Sequence, residues 1–131
     1  MNKKVSVIMA VHNCAATVDK AIQSIMDQTY TDWVMIICDD GSTDNTLQVV
    51  KEYEEKYPEK FKVIQNDGNK KLPYSLNHCL RYVETELVAR MDGDDWSTPD
   101  RFEKQVAFLQ FMSFCLRLSS LALLLLLQGQ C

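Results

Sequence analysis

Three carboxylates fall within four residues at Asp92-Gly93-Asp94-Asp95, just after the apolar pair Leu87-Val88. Aspartates at i and i+2 of an extended segment project to one side, so Asp92 and Asp94 can face a single divalent cation. Hard carboxylate oxygens suit Mg2+ or Mn2+, which keep positions open for substrate phosphate oxygens. Gly93 between them frees the backbone dihedrals and lets a ligand come close. The plain alternative is a solvated turn or helix cap ahead of Thr98-Pro99, and a D-x-D triplet alone does not choose between them. A calcium loop is excluded, because counted from Asp92 the fifth position is Trp96 and the obligatory glycine is Ser97.

Asp39-Asp40-Gly41-Ser42 could do different work. A carboxylate there can accept hydrogen bonds from an N–H or hydroxyl of a bound base or sugar, and Ser42-Thr43 open a helix whose first N–H groups are free. Capping and a glycine turn account for Gly41 to Asp44 and less well for the two aspartates. Two further polar groups, His12-Asn13 and Asn66-Asp67, complete the set.

The elements that must position these groups are legible as alternating periods. "VSVIMA" (5–10) and "WVMIIC" (33–38) are continuous apolar runs, expected of strands covered on both faces. "FKVI" (61–64) and "ELVARM" (86–91) are shorter strand candidates. Helical stripes lie between: Val18, Ile22 and Ile25; Leu47, Val50, Tyr53 and Tyr57; Leu76, Leu80 and Val83; then Phe102, Val106 and Leu109. Thr43 is the expected N-cap of the second helix and Pro58 follows its end. The alternation predicts an α/β fold, a mostly parallel Rossmann-like sheet with flanking helices and right-handed crossovers. All four polar groups then follow strands at one sheet edge, where open α/β sheets bind ligands.

Composition narrows the partners. The hydrophobic share of 47% is that of a globular chain, and 131 residues make one domain or part of one. A net charge of −4 supplies no basic face, so nucleic acid is not an expected partner. The cysteines at 14, 38, 79, 115 and 131 form no CxxC pair, which disfavours zinc and a disulfide framework and suits reduced thiols in the cytosol. "MNKKVSVIMAVHNC" mimics a secretion signal, but its apolar run is short and lacks a small-residue cleavage site, so a buried first strand fits better.

The segments "VSVIMAVHNCAATVDKAIQSIMDQTYTDWVMIICDDGSTDNT", "KLPYSLNHCL" and "ARMDGDDWSTPDRFEKQVAFL", in this order, closely resemble the family 2 glycosyltransferases of the GT-A fold. The resemblance covers about residues 3–110 and rests on the "VHN", Gln28 to Tyr30, D-D-G-S-T-D and D-x-D-D…Pro-Asp-Arg motifs together. It implies a nucleotide-sugar site lined by Ala10, Val11, His12 and Asn13, with Asp39 or Asp40 on the nucleobase, most often uracil. Lys70 or Lys71 stands where members place a basic residue near the nucleotide. Asp92 and Asp94, with Gly93 between, resemble the metal-binding D-x-D that holds the diphosphate through Mn2+ or Mg2+. The activity implied is inverting transfer from a nucleotide-diphosphate sugar to a saccharide or glycolipid acceptor, in cell-surface polysaccharide biosynthesis. The setting implied is the cytoplasm or the cytoplasmic face of the membrane.

The chain departs from that pattern twice. Members usually carry Pro-x-Tyr-Asn after strand one, where this chain has Ala10-Val11-His12-Asn13; His12 is either a base-stacking group or a partly buried turn residue. After Leu109 the chain reads "QFMSFCLRLSSLALLLLLQGQC" rather than acceptor-side strands, so 1–110 is read as the donor-binding part and 111–131 as an atypical apolar tail. That tail is an aberrant frame, a truncation or a membrane-associated anchor. No residue makes a convincing acceptor base, which leaves a nucleotide-sugar-binding fragment without turnover as the alternative function. A response-regulator-like phosphoacceptor would need its Asp pair after strand one, and a sugar-nucleotide pyrophosphorylase a Gly-rich basic loop there.

Overall fold

A computed structural model describes residues 4–128, with side chains from 4 to 117. Four strands, β1 (Val5–Val11), β2 (Trp33–Asp39), β3 (Phe61–Gln65) and β4 (Leu87–Arg90), alternate with helices α1 (Val18–Met26), α2 (Thr46–Lys56), α3 (Leu72–Leu80) and α4 (Arg101–Gln128). All pairings are parallel, in the order β3-β2-β1-β4. The expected α/β architecture with a parallel sheet is therefore what the chain forms.

Handedness decides which helix covers which face. The chain steps from β1 to β2 to β3 in one direction, then returns past β1 to reach β4. A right-handed crossover in the reversed direction must use the opposite face. Accordingly Val18, Ala21, Ile22 and Ile25 of α1 and Val50 of α2 pack with Val5, Val7, Met9, Met35 and Ile37 on one face, where Phe102 and Val106 of α4 join them. On the other face Cys79 of α3 packs with Ile8, Ile36, Cys38 and Ile64. The reversal falls between β1 and β4, the switch point where such sheets form a crevice.

Three details differ from the sequence reading, each for a local reason. The second helix begins at Thr46 rather than after Thr43; the Thr43 N–H and hydroxyl both donate to Asn13 Oδ1 (2.7 and 3.3 Å), which commits that segment to a turn. In α3 the fully buried residues are Ser75 and Cys79; the expected Leu76 and Val83 pack partly buried on the same face, while Leu80 is exposed. β2 runs on to Asp39, which is held in the ladder opposite Val11 and Gln65. On the outer border of β3, the Val63 N–H donates to Glu54 Oε1 at 2.9 Å.

The described thiols Cys14, Cys38, Cys79 and Cys115 are free, and Cys131 lies outside the described residues. Helix α4 passes through residue 110 without a break. Phe108, Phe111, Phe114 and Leu116 are exposed on it. Among the described residues no helix is long and apolar enough to cross a membrane. The side chains of the Leu-rich segment 121–127 lie outside those described.

Candidate functional site

The parallel ladder delivers four loops to one edge: His12-Asn13 after β1, Asp40 to Ser42 after β2, Asn66 to Lys71 after β3, and Asp92 to Asp95 after β4. Asp40 ties three of them together. Its carboxylate, 5% exposed, accepts the Lys70 N–H (2.7 Å) and Asn66 Nδ2 (2.8 Å) on Oδ1 and the Lys71 N–H (3.0 Å) on Oδ2. Burial pushes this carboxyl up, but the hydrogen bonds from Lys70, Asn66, Lys71 and Ser75 together outweigh it and hold the acid below its ordinary range. The Asp40 carbonyl accepts from His12 Nδ1 at 2.8 Å. A carbonyl can only accept, so Nδ1 carries a proton, and Nε2 lies 3.4 and 3.5 Å from the side-chain amides of Asn13 and Asn69.

Asp39 is placed differently. It is 3% exposed, and its Oδ2 accepts the Ser42 N–H at 3.1 Å. Its Oδ1 is buried without a hydrogen-bond partner, a condition that costs about 1–3 kcal/mol when left unanswered. Sequence left the two aspartates interchangeable; the structure spends both oxygens of Asp40 inside the protein and leaves one of Asp39 open.

Asn13, at φ 47°, is a brace. Its Oδ1 accepts from Thr43 and from the Asp44 N–H (3.3 Å), and its own N–H donates to Ser42 Oγ (3.0 Å). Lys71 contributes backbone to the site: its N–H meets Asp40, its side chain is exposed, and its φ of 75° with ψ of 164° is a conformation seldom taken outside glycine.

The acidic group converges by a route unlike the one expected. β4 has ended at Arg90, and the Asp95 N–H donates to the Asp92 carbonyl at 3.2 Å, closing a turn. The turn folds in a third carboxylate: Asp92, Asp94 and Asp95 each offer an oxygen within 4.8 Å of the others. Strand alternation could not have included Asp95; the D-x-D-D run with its glycine was the available signal. Arg90 meets Asp92 Oδ1 at 3.2 Å and so offsets part of the charge. Hard oxygen donors so gathered, with more negative than positive charge, fit Mg2+ or Mn2+.

Gly93 also answers a packing constraint. It is buried, and a Cβ there would lie 2.8 Å from Cys14 Sγ and 3.1 Å from Val11 Cγ1. Lack of room, rather than unusual dihedrals, is enough to exclude a side chain. Its carbonyl accepts from Thr17 Oγ1 at 2.8 Å, tying the acidic turn to the start of α1.

A cavity of about 430 Å3 is lined by Ala10, His12, Asn13, Asp92, Gly93 and Asp94 among others. Val11, expected beside them, points into the core instead. Gln28, 4% exposed, secures the segment beyond the acidic turn: its Nε2 donates to the Thr98 carbonyl (2.7 Å) and its Oε1 accepts the Phe102 N–H (3.0 Å). Arg101 donates to Ser97 Oγ and to the Arg90 carbonyl, both at 2.9 Å.

The sequence pattern of the family described as "Glycosyl transferase family 2" matches residues 6–114. EpsE of Bacillus subtilis (strain 168) is 52% identical over 107 residues, which are 82% of this chain and 38% of that protein. The crystal structure of S. aureus TarS 1-349 in complex with UDP superimposes with a TM-score of 0.75 at 30% identity, covering 82% of this chain and 32% of that one. The mannosyltransferase PcManGT from Pyrobaculum calidifontis, in complex with GDP-Man and Mn2+, gives 0.68 at 25% identity over 76% of this chain and 30% of its own. The chain thus spans 30–38% of the length of these relatives.

Proposed function

The chain belongs to glycosyl transferase family 2, and from that premise we propose that residues 1–110 hold a nucleotide-diphosphate sugar, UDP-linked, for transfer to a saccharide or glycolipid acceptor. The observation that carries the reading is the three-carboxylate group at the carboxyl edge of the sheet, at the point where strand order reverses. Asp92, Asp94 and Asp95 would hold Mn2+ or Mg2+, which when bound offsets negative charge on a leaving diphosphate. His12, held by the Asp40 carbonyl, offers a flat ring at the cavity. Asp39 Oδ1 is the acceptor left for a base N–H such as that of uracil, reached by a shift of the Ser42 turn. Asp40 positions these groups with both its oxygens spent inside the protein, while Asn13 braces the turn after β2 and also lines the cavity.

Transfer with inversion needs a carboxylate base for the acceptor hydroxyl. No described residue is assigned that part here, and the second reading is a fragment that binds the nucleotide sugar without turnover. The setting proposed for the transfer is cell-surface polysaccharide synthesis at the cytoplasmic face of the membrane. The test is thermal stabilisation by UDP with and without Mn2+. Metal-dependent stabilisation that disappears in Asp94→Ala supports the reading; folded protein indifferent to every nucleoside diphosphate would sink it.

A further inference from the structure

The acidic turn is the shared wall of two cavities. Asp92 and Asp94 face the 430 Å3 cavity that also holds His12. Asp92 and Asp95 face a second, of about 500 Å3, together with Arg90, Trp96 and Thr98. Trp96 is 69% exposed, the highest value for a large apolar side chain among the described residues. It is also held in place. The next residue, Ser97, is buried, its N–H donates to Ser24 Oγ at 3.0 Å, and its hydroxyl accepts from Arg101. The backbone therefore presents the indole to solvent from a fixed anchor, one residue from Asp95, or about 3.8 Å between Cα atoms.

An apolar ring held open to water at a standing cost, beside carboxylates and guanidinium groups, has the composition of a carbohydrate subsite. The flat face takes the C–H side of a pyranose, and the planar polar groups take its hydroxyls. Resting on the donor-site reading above, we propose that Trp96 is the platform for the donor's sugar ring. The nucleoside then occupies the His12 cavity, the diphosphate meets the acidic turn, and the sugar crosses to the Trp96 side. The sugar hangs directly from the second phosphate, so this order along the ligand matches the order of cavity, turn and cavity in the protein.

The test is isothermal titration of the whole chain with UDP, UDP-glucose and UDP-N-acetylglucosamine, each with Mn2+. Trp96→Ala should raise the Kd of at least one UDP-sugar about five-fold while leaving that of UDP within two-fold. Trp96→Phe should recover most of the loss. Emission of Trp96, read in a Trp33→Phe background, should shift with UDP-sugar and not with UDP. Equal loss for UDP and UDP-sugars, or no loss for either sugar, overturns the platform while leaving the donor-site reading standing. A wild-type chain that binds none of the three removes both.

Discussion

Gly93→Ala tests the packing beneath the acidic turn most directly. The added methyl would stand 2.8 Å from Cys14 Sγ and 3.1 Å from Val11 Cγ1, against ordinary contacts of 3.4–4 Å. Val11 is a core strand residue, stiff at χ1. Cys14 is half-buried, and its N–H is held by Thr46 Oγ1 at 2.9 Å. Neither yields freely, and overpacking of this kind costs about 1–3 kcal/mol. For a chain of this size that is roughly 5–10 °C in Tm. The turn's other restraint, Thr17 on the Gly93 carbonyl, resists the same displacement, so Asp92 and Asp94 should shift and UDP stabilisation should lose its dependence on Mn2+. Cys14→Ala removes the nearer obstacle and leaves Val11, so the double variant should recover about half the lost stability. Urea unfolding of the two single variants and the double one gives the coupling, expected near 1 kcal/mol. If Gly93→Ala is as stable as the parent, or if the two changes simply add, the steric argument fails.

Other changes separate bracing from binding. Asp40→Asn should cost about 2–4 kcal/mol in urea unfolding, because an amide can no longer accept three donors on two oxygens. The Asp40 carboxyl is held low in the fold, so its contribution is present above the ordinary carboxylate range and is lost as pH falls through the lowered value. Stability of the parent should therefore drop below about pH 4, and Asp40→Asn should flatten that limb. Gln28→Ala strips the Phe102 N–H of its side-chain partner and leaves the Thr98 carbonyl only the Arg101 N–H; about 1–2 kcal/mol should be lost, with faster hydrogen exchange at Phe102. Lys71→Gly should stabilise by about 1 kcal/mol in the same assay, since glycine takes that backbone conformation without strain.

The fold was legible in the sequence because parallel strands covered on both faces leave an unbroken apolar record, as in "VSVIMA" and "WVMIIC". Strand order was not: nothing in the short "LVAR" run says that β4 returns beside β1, and it is that return which brings the acidic turn to His12. The acidic triplet was visible as composition, but its geometry depends on a turn hydrogen bond between backbone atoms. The difference between Asp39 and Asp40 was beyond reach for a similar reason. It depends on donors from residues 66 to 71, distant in sequence and mostly backbone N–H groups that carry no side-chain signature. Asn13 and Gln28 stood out as motif letters whose purpose, pinning one loop to another, needed the contacts to be seen.

Arg101 holds two things at once: the outward carbonyl of Arg90 on the border strand β4, and the Ser97 hydroxyl beneath Trp96. A strand added alongside β4 would claim that carbonyl for its own ladder. The guanidinium would then share that oxygen or resettle, and in resettling it would take from the loop carrying Trp96 one of its two anchors, the Ser97 N–H on Ser24 remaining. Extension of the sheet and the posture of the segment after the acidic turn are thus two ends of one lever, with a single side chain as its fulcrum.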